Sequence, residues 1–116
     1  MMDPQRASKL LADEYSVKIL TATYRKARSA SYLSSRFDIP IAACYRRIKA
    51  LEKEGFLKAV EKEFTRFGKW VWTYRSNLKY VNIVLEKGQM RMFMQLNDPK
   101  NPEHHDTWEI LEQEEV

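Results

Sequence analysis

The stretch Asp38-Ile-Pro-Ile-Ala-Ala-Cys-Tyr-Arg-Arg-Ile-Lys-Ala-Leu-Glu-Lys-Glu-Gly55 decides how the rest of the chain is read. Pro40 suits the first position of a helix, where its missing N–H would have no partner anyway, and Gly55 suits the left-handed residue that stops one. The residues between them predict a helix of about four turns. At roughly 100° per residue, Ile41, Cys44, Ile48 and Leu51 fall on one stripe and Ala42, Arg46, Lys49 and Lys53 on the opposite side. The first face is apolar and suited to a core, whereas the second is small and cationic. Arg47 falls nearer the core side and reads as structural.

The flanks give the cationic face a purpose. Upstream, Ser29-Ala-Ser-Tyr-Leu-Ser-Ser-Arg-Phe37 predicts a shorter helix opened by a hydroxyl cap, with Tyr32, Leu33 and Phe37 apolar. Only Asp38 and Ile39 separate the two helices. A short helix, a tight turn and a second helix with basic residues outward is the helix-turn-helix arrangement, whose second helix lies in the DNA major groove. Downstream, Leu57 to Phe64 and Trp70 to Arg75 are strand-like runs joined by Thr65-Arg66-Phe67-Gly68-Lys69, a hairpin or wing with a basic tip. The expected fold class is mainly α with a β-wing (α+β): a winged helix-turn-helix with an additional C-terminal β-hairpin.

From about Asp13 to Ser76 the chain resembles the winged helix-turn-helix domain of ArsR-type transcription regulators, closest to their archaeal branch. The resemblance is carried by Ser-Val-Lys-Ile-Leu at 16–20, Ser-Ala-Ser-Tyr-Leu-Ser at 29–34, the 38–57 stretch, and the Gly68-Lys69 turn followed by Trp-Thr-Tyr-Arg-Ser at 72–76. It implies DNA contacts from Ser29 and Ser31 at the start of the second helix, and from Ala42, Ala43, Tyr45, Arg46 and Lys49 on the third. It also implies that the first helix helps to form a dimer. The family often has Ser or Thr where this chain has Ala42 and Ala43, and the paired cysteines of its metal-sensing members are missing here.

The residue types support that implication. Arg can bond guanine O6 and N7 with both arms, Lys can reach phosphate or guanine, and the small Ala42 and Ala43 let the backbone approach thymine methyls. Tyr45 can bond a phosphate, and Arg66 and Lys69 at the wing tip can meet phosphates or enter the minor groove. Trp70 and Trp72 alternate along a strand, which predicts packing rather than base stacking. The expected function is a sequence-specific, homodimeric regulator that binds double-stranded DNA, with a recognition helix over about 40–54 and a wing over 57–75. The alternative is a winged-helix protein-interaction module of the transcription machinery.

Composition sets the outer bounds. A chain of 116 residues with 44% hydrophobic content suits one domain with a modest core. The first 96 residues carry 19 Lys and Arg against 9 Asp and Glu, while the last 20 carry Lys100 against seven acids. A basic body attracts phosphate, and an acidic end can pair with it, repel DNA or aid solubility. No run approaches the ~20 apolar residues of a membrane span, and a single Cys44 suits a reducing compartment, so a cytoplasmic protein is expected. There is no phosphate-binding glycine loop and no HExxH, and His104 and His105 stand apart from Cys44; no enzyme, cofactor or metal site is expected, and any small-molecule effector is unknown.

In chain order, Met1–Arg6 is expected to fray, and Ala7 to Ala27 to be helical with a break at Asp13. Residues 1–76 form the expected DNA-binding unit. Residues 77–97 form a hairpin turning at Gly88, in which Val81, Ile83 and Leu85 alternate with Asn82 and Glu86 on one strand and Met90, Met92, Met94 and Leu96 alternate with Arg91 and Gln95 on the other. Residues 98–116 are expected to be a linker and acidic tail, with a short helix capped by Thr107.

Overall fold

Asp13 breaks the N-terminal helical run in two, and the structure, a computed structural model that describes residues 3–97 and the backbone of 106–111, shows how. Asp13 ends α1 (Pro4–Ala12) and caps α2 (Glu14–Ala22), accepting the Ser16 backbone N–H at 3.0 Å and the Ser16 hydroxyl at 3.2 Å. The order then continues β1 (Arg28–Ser29), α3 (Ala30–Phe37), α4 (Ile41–Lys53), β2 (Leu57–Phe64), β3 (Trp70–Ser76), β4 (Leu78–Glu86), β5 (Gln89–Leu96) and β6 (Asp106–Leu111). The run expected to fray is helical from Pro4, because Asp3 caps it by accepting from the Gln5 N–H. The helix expected to reach Ala27 stops at Ala22, where the buried Thr23 hydroxyl donates back to the Ile19 carbonyl.

The helix-turn-helix matches its expectation. Asp38 adopts a left-handed conformation at the end of α3, and the buried Ile39 seals the turn, its N–H donating to the Ser34 carbonyl. Gly55 is left-handed at φ 80°, and the Phe56 and Gly55 N–H groups return to the carbonyls of Leu51 and Glu52, a Schellman ending. Leu33, Ile39, Cys44, Ile48, Leu51, Phe56 and Leu57 join Ile19 in the core. Each buried side chain of Leu or Phe size contributes about 1.5–3 kcal/mol.

One detail of α4 differs from its expected stripe. Ile41 is 47% exposed, whereas Ala43, placed on the DNA side by the resemblance, is 7% exposed. The residues that face inward are Cys44, Ile48, Leu51 and Arg47, and at roughly 100° per residue their mean direction lies about 70° from Ile41 on one side and about 90° from Ala43 on the other. On these two shoulders tertiary contact decides. The Arg47 guanidinium reaches across to Asp13, with Nε 2.9 Å from Oδ2 and the second nitrogen 3.3 Å from Oδ1. That bond turns the helix toward its Ala43 side.

Both sheets are antiparallel, with orders β1-β3-β2 and β4-β5-β6. Asn77 joins them: its N–H donates to the Phe56 carbonyl, its side-chain amide donates to the Gly55 carbonyl at 3.0 Å, and its own carbonyl accepts from Asn97. In the second sheet Val81 lies opposite Met94, Ile83 opposite Met92 and Leu85 opposite Met90, across a Lys87-Gly88 turn with both φ values positive. The third strand was not expected. Residues 106–111, read from sequence as the start of an acidic helix, pair with β5 (Met92 opposite Trp108, Arg91 opposite Glu109) and lie against α1. β-Branched and aromatic residues beside a free strand edge favour extension over helix. The linker at 98–105 and the remainder of the tail lie outside the described residues.

Two outcomes test this account. Hydrogen bonding by Arg47 holds the Asp13 carboxyl below its ordinary pKa, so the pair stabilises the fold fully above the unfolded carboxylate range and loses that contribution as pH falls through the lowered folded value. Asp13→Asn, which keeps a capping side chain, should cost about 1–2 kcal/mol at pH 7, and its deficit against wild type should shrink below about pH 4. Thermal melts at pH 7 and pH 3 measure both. Removing residues 98–116 strips β6 from β5 and should lower the Tm and raise binding of a hydrophobic dye, because Met92 and Met94, fully buried, lie opposite Trp108 and Asp106. An unchanged melt would show that β6 contributes nothing to the fold.

Candidate nucleic-acid interface

The side of the domain that carries α4 also carries the first turn of α3 and one face of the wing. Along α4, Ala42, Tyr45, Arg46 and Lys49 are exposed, and Ser31 is exposed at the start of α3. Arg66 and Lys69 are exposed at the wing tip. That tip is rigidly made: Thr65 N–H donates to the Lys69 carbonyl at 2.7 Å, Gly68 N–H to the Thr65 carbonyl, and Lys69 N–H to the Thr65 hydroxyl, with Gly68 at φ 77°. A left-handed residue there suits glycine.

Two expected contact residues have little exposed surface. Ser29 is buried and caps α3 by accepting the Tyr32 N–H at 3.1 Å, and Ala43 packs into the core. Ala43 is turned into the core, whereas the Ser29 hydroxyl, which accepts as a cap and keeps its own proton to donate, borders the concavity between wing and helices. Arg47, read as structural, is so, pinned to Asp13 and lying 5.7 Å from the Tyr15 ring centroid.

The wing overturns the packing expectation for its tryptophans. Trp70 is 65% exposed and Trp72 48% exposed. Phe64 lies opposite Trp70, Lys62 opposite Trp72 and Ala59 opposite Tyr74, so these residues share one face of the hairpin. At the root of the wing this face buries Leu57 and Ser76. Towards the tip the strands outrun the helices that would cover them. The aromatic groups stay exposed because eight-residue strands extend about 27 Å, further than the helical layer reaches. No period-2 pattern in the sequence distinguishes a covered strand from an overhanging one.

Between wing and helices lies a concavity of about 240 Å³ lined by Ser29, Ser31, Tyr45, Trp70, Trp72 and Tyr74. The half-buried Tyr74 phenol is pushed up in pKa, first by burial and then by the nearby Glu52 carboxylate, and stays protonated. Burial also raises the pKa of the Cys44 thiol, which lies behind the recognition face against the Ala30 carbonyl. Arg28 stacks its guanidinium 4.3 Å from the Tyr32 ring centroid, and its buried Nε has no hydrogen-bond partner among the described residues. Among those residues, no three of His, Cys, Asp or Glu gather where a metal ion would fit, and no helix is long and apolar enough to cross a membrane.

No curated protein matches the chain. Residues 11–60 match the family model of a helix-turn-helix domain, a span that runs from the last turn of α1 through α4 into the first half of β2. That span is similar to a helix-turn-helix domain, and the exposed face of α4 lies on the second helix of the motif.

Proposed function

We propose that the protein is a cytoplasmic, sequence-specific regulator of transcription that binds double-stranded DNA as a homodimer, of the ArsR-like, archaeal kind that its sequence resembles. The observation that carries this reading is the exposed row Ala42, Tyr45, Arg46 and Lys49 on the second helix of a helix-turn-helix, flanked by a wing whose tip presents Arg66 and Lys69. Arg46 and Lys49 meet base edges and neighbouring phosphates in the major groove. Ser31 and Tyr45 bond the backbone beside them, and the wing follows the phosphates or the minor groove. Lysine and arginine outnumber acids on the body, which favours association with a polyanion.

The dimer rests on a narrow surface, because Met92, Met94 and Leu11 are buried within the chain. What remains is β4, an edge strand with Ile83, Val84 and Leu85 exposed. A long apolar edge is a template for pairing with a second copy. Sedimentation at tens of micromolar should give a dimer, and Leu85→Lys should shift it to monomer; a wild-type monomer with and without DNA would defeat the assembly.

The helix and the wing have separable roles. Arg46→Ala should cost about 1–3 kcal/mol on a specific site and less on random DNA, so specificity drops. Replacing Arg66 and Lys69 together with Ala should weaken both kinds of DNA alike and lower the salt slope by up to about two, leaving specificity largely intact. Filter binding across a salt series measures both. If these variants bind DNA as wild type does while one abolishes capture of a protein partner, the face is an interaction module of the transcription machinery instead.

A further inference from the structure

The aromatic face of the wing is larger than double-stranded DNA recognition requires. Phe64 and Trp70 hold their ring centroids 5.1 Å apart with planes tilted by 54°, and Phe67 at the tip is 75% exposed. Cations sit at these rings: the Lys62 ammonium lies 5.2 Å from the centroid of Trp72, and the Arg66 guanidinium 5.0 Å from that of Phe67. The strand residues of this face include no acid, whereas Glu61 and Glu63 register opposite Thr73 and Val71 and project to the other side. The hairpin is thus aromatic and cationic toward the recognition helix and carries its acids away from it.

A paired duplex offers phosphates, groove edges and only its end bases as open ring faces, so exposed indoles have little to stack on along it. Unpaired nucleotides offer a flat face on every base. Trp70 and Trp72 stand two residues apart on one strand, about 7 Å, far enough for neighbouring unstacked bases to take one ring each. Lys62 and Arg66 then meet the intervening phosphates, and the concavity behind the indoles, with Tyr45 and Ser31 on its wall, receives a base edge.

We propose that the wing face formed by Phe64, Trp70 and Trp72 binds unpaired DNA bases by stacking, so that the protein prefers DNA with a melted or single-stranded segment beside the site read by α4. The proposal rests on the reading of α4 as a DNA-contacting helix. Lys62 and Arg66 supply the charge complementarity that commits this surface to nucleic acid and not to an apolar partner.

The test compares three fluorescein-labelled probes: a paired duplex, the same duplex with a central bubble of mismatched bases, and an oligothymidine. Wild type should bind the bubble and the oligothymidine with quenching of tryptophan fluorescence, and the bubble at least about fivefold more tightly than the paired duplex, the loss typical of a single stacked base. Trp70→Ala with Trp72→Ala should remove that preference while leaving paired-duplex affinity nearly unchanged, and Trp70→Phe with Trp72→Phe should restore most of it. Both indoles are exposed, so the variants should fold, which circular dichroism checks. Equal wild-type affinity for bubble and paired duplex overturns the proposal and leaves the duplex reading intact. A double Ala variant that keeps the bubble preference but changes from dimer to monomer also overturns it, because the face is then an interface between copies. Failure to bind any probe sinks both readings together.

Discussion

One carboxylate orients the whole recognition face. Asp13 accepts from the backbone and hydroxyl of Ser16 and from two nitrogens of Arg47, and so ends α1, starts α2 and fixes the roll of α4 about its axis. Charge-assisted, two-pronged bonds of this kind have narrow geometry. A helix whose buried side is set only by apolar contact can roll by tens of degrees at modest cost, because small residues on its shoulders, such as Ala42 and Ala43, fit either side. With the bond to Asp13 in place, Ala43 lies inward, Ile41 outward, and Arg46 and Lys49 are exposed.

The wing and the second sheet show the same constraint of coverage with opposite results. In the second sheet an added strand, β6, pairs with the methionine strand and lies against the N-terminal α1, and Met92 and Met94 are fully buried. In the wing no described residue is laid over the outer half of β2 and β3, and Trp70 and Trp72 stay exposed although they alternate as neatly as the methionines do. Exposed aromatic area of this extent costs free energy in the unbound protein. Its position next to the reading helix, and the cations arranged at its rings, make a ligand the economical explanation.

Asn77 deserves its place in this scheme because it is where the two sheets meet. Its backbone and side chain tie the end of α4 to the start of the second sheet through Gly55, Phe56 and Asn97. A helix ending, a sheet junction and the root of the wing are thereby held by one short cluster of hydrogen bonds. Movement of the second sheet, for example on pairing through β4, would be transmitted first to the last turn of α4.

The sequence by itself determined the helix-turn-helix and the hairpins. Proline, glycine and capping residues act on their own backbone neighbours, so Ser29, Asp38, Gly55, Gly68 and Gly88 marked the joints correctly, and the alternation of Val81, Ile83 and Leu85 and of the methionines marked the two strands of the second hairpin. The buried stripe of Cys44, Ile48 and Leu51 and the cationic row beyond it were equally legible, because helical period is a local property. Tertiary structure alone decided the rest. Whether Ala43 or Ile41 faces the core depends on an ion pair between residues 34 positions apart. How far Ser29 is covered depends on the wing and helices packed around it. The strand at 106–111 pairs with the edge of β5, and the wing tryptophans are exposed because no described element covers them. Period and propensity specify which residues share a face; only the packing of distant elements specifies whether that face is covered.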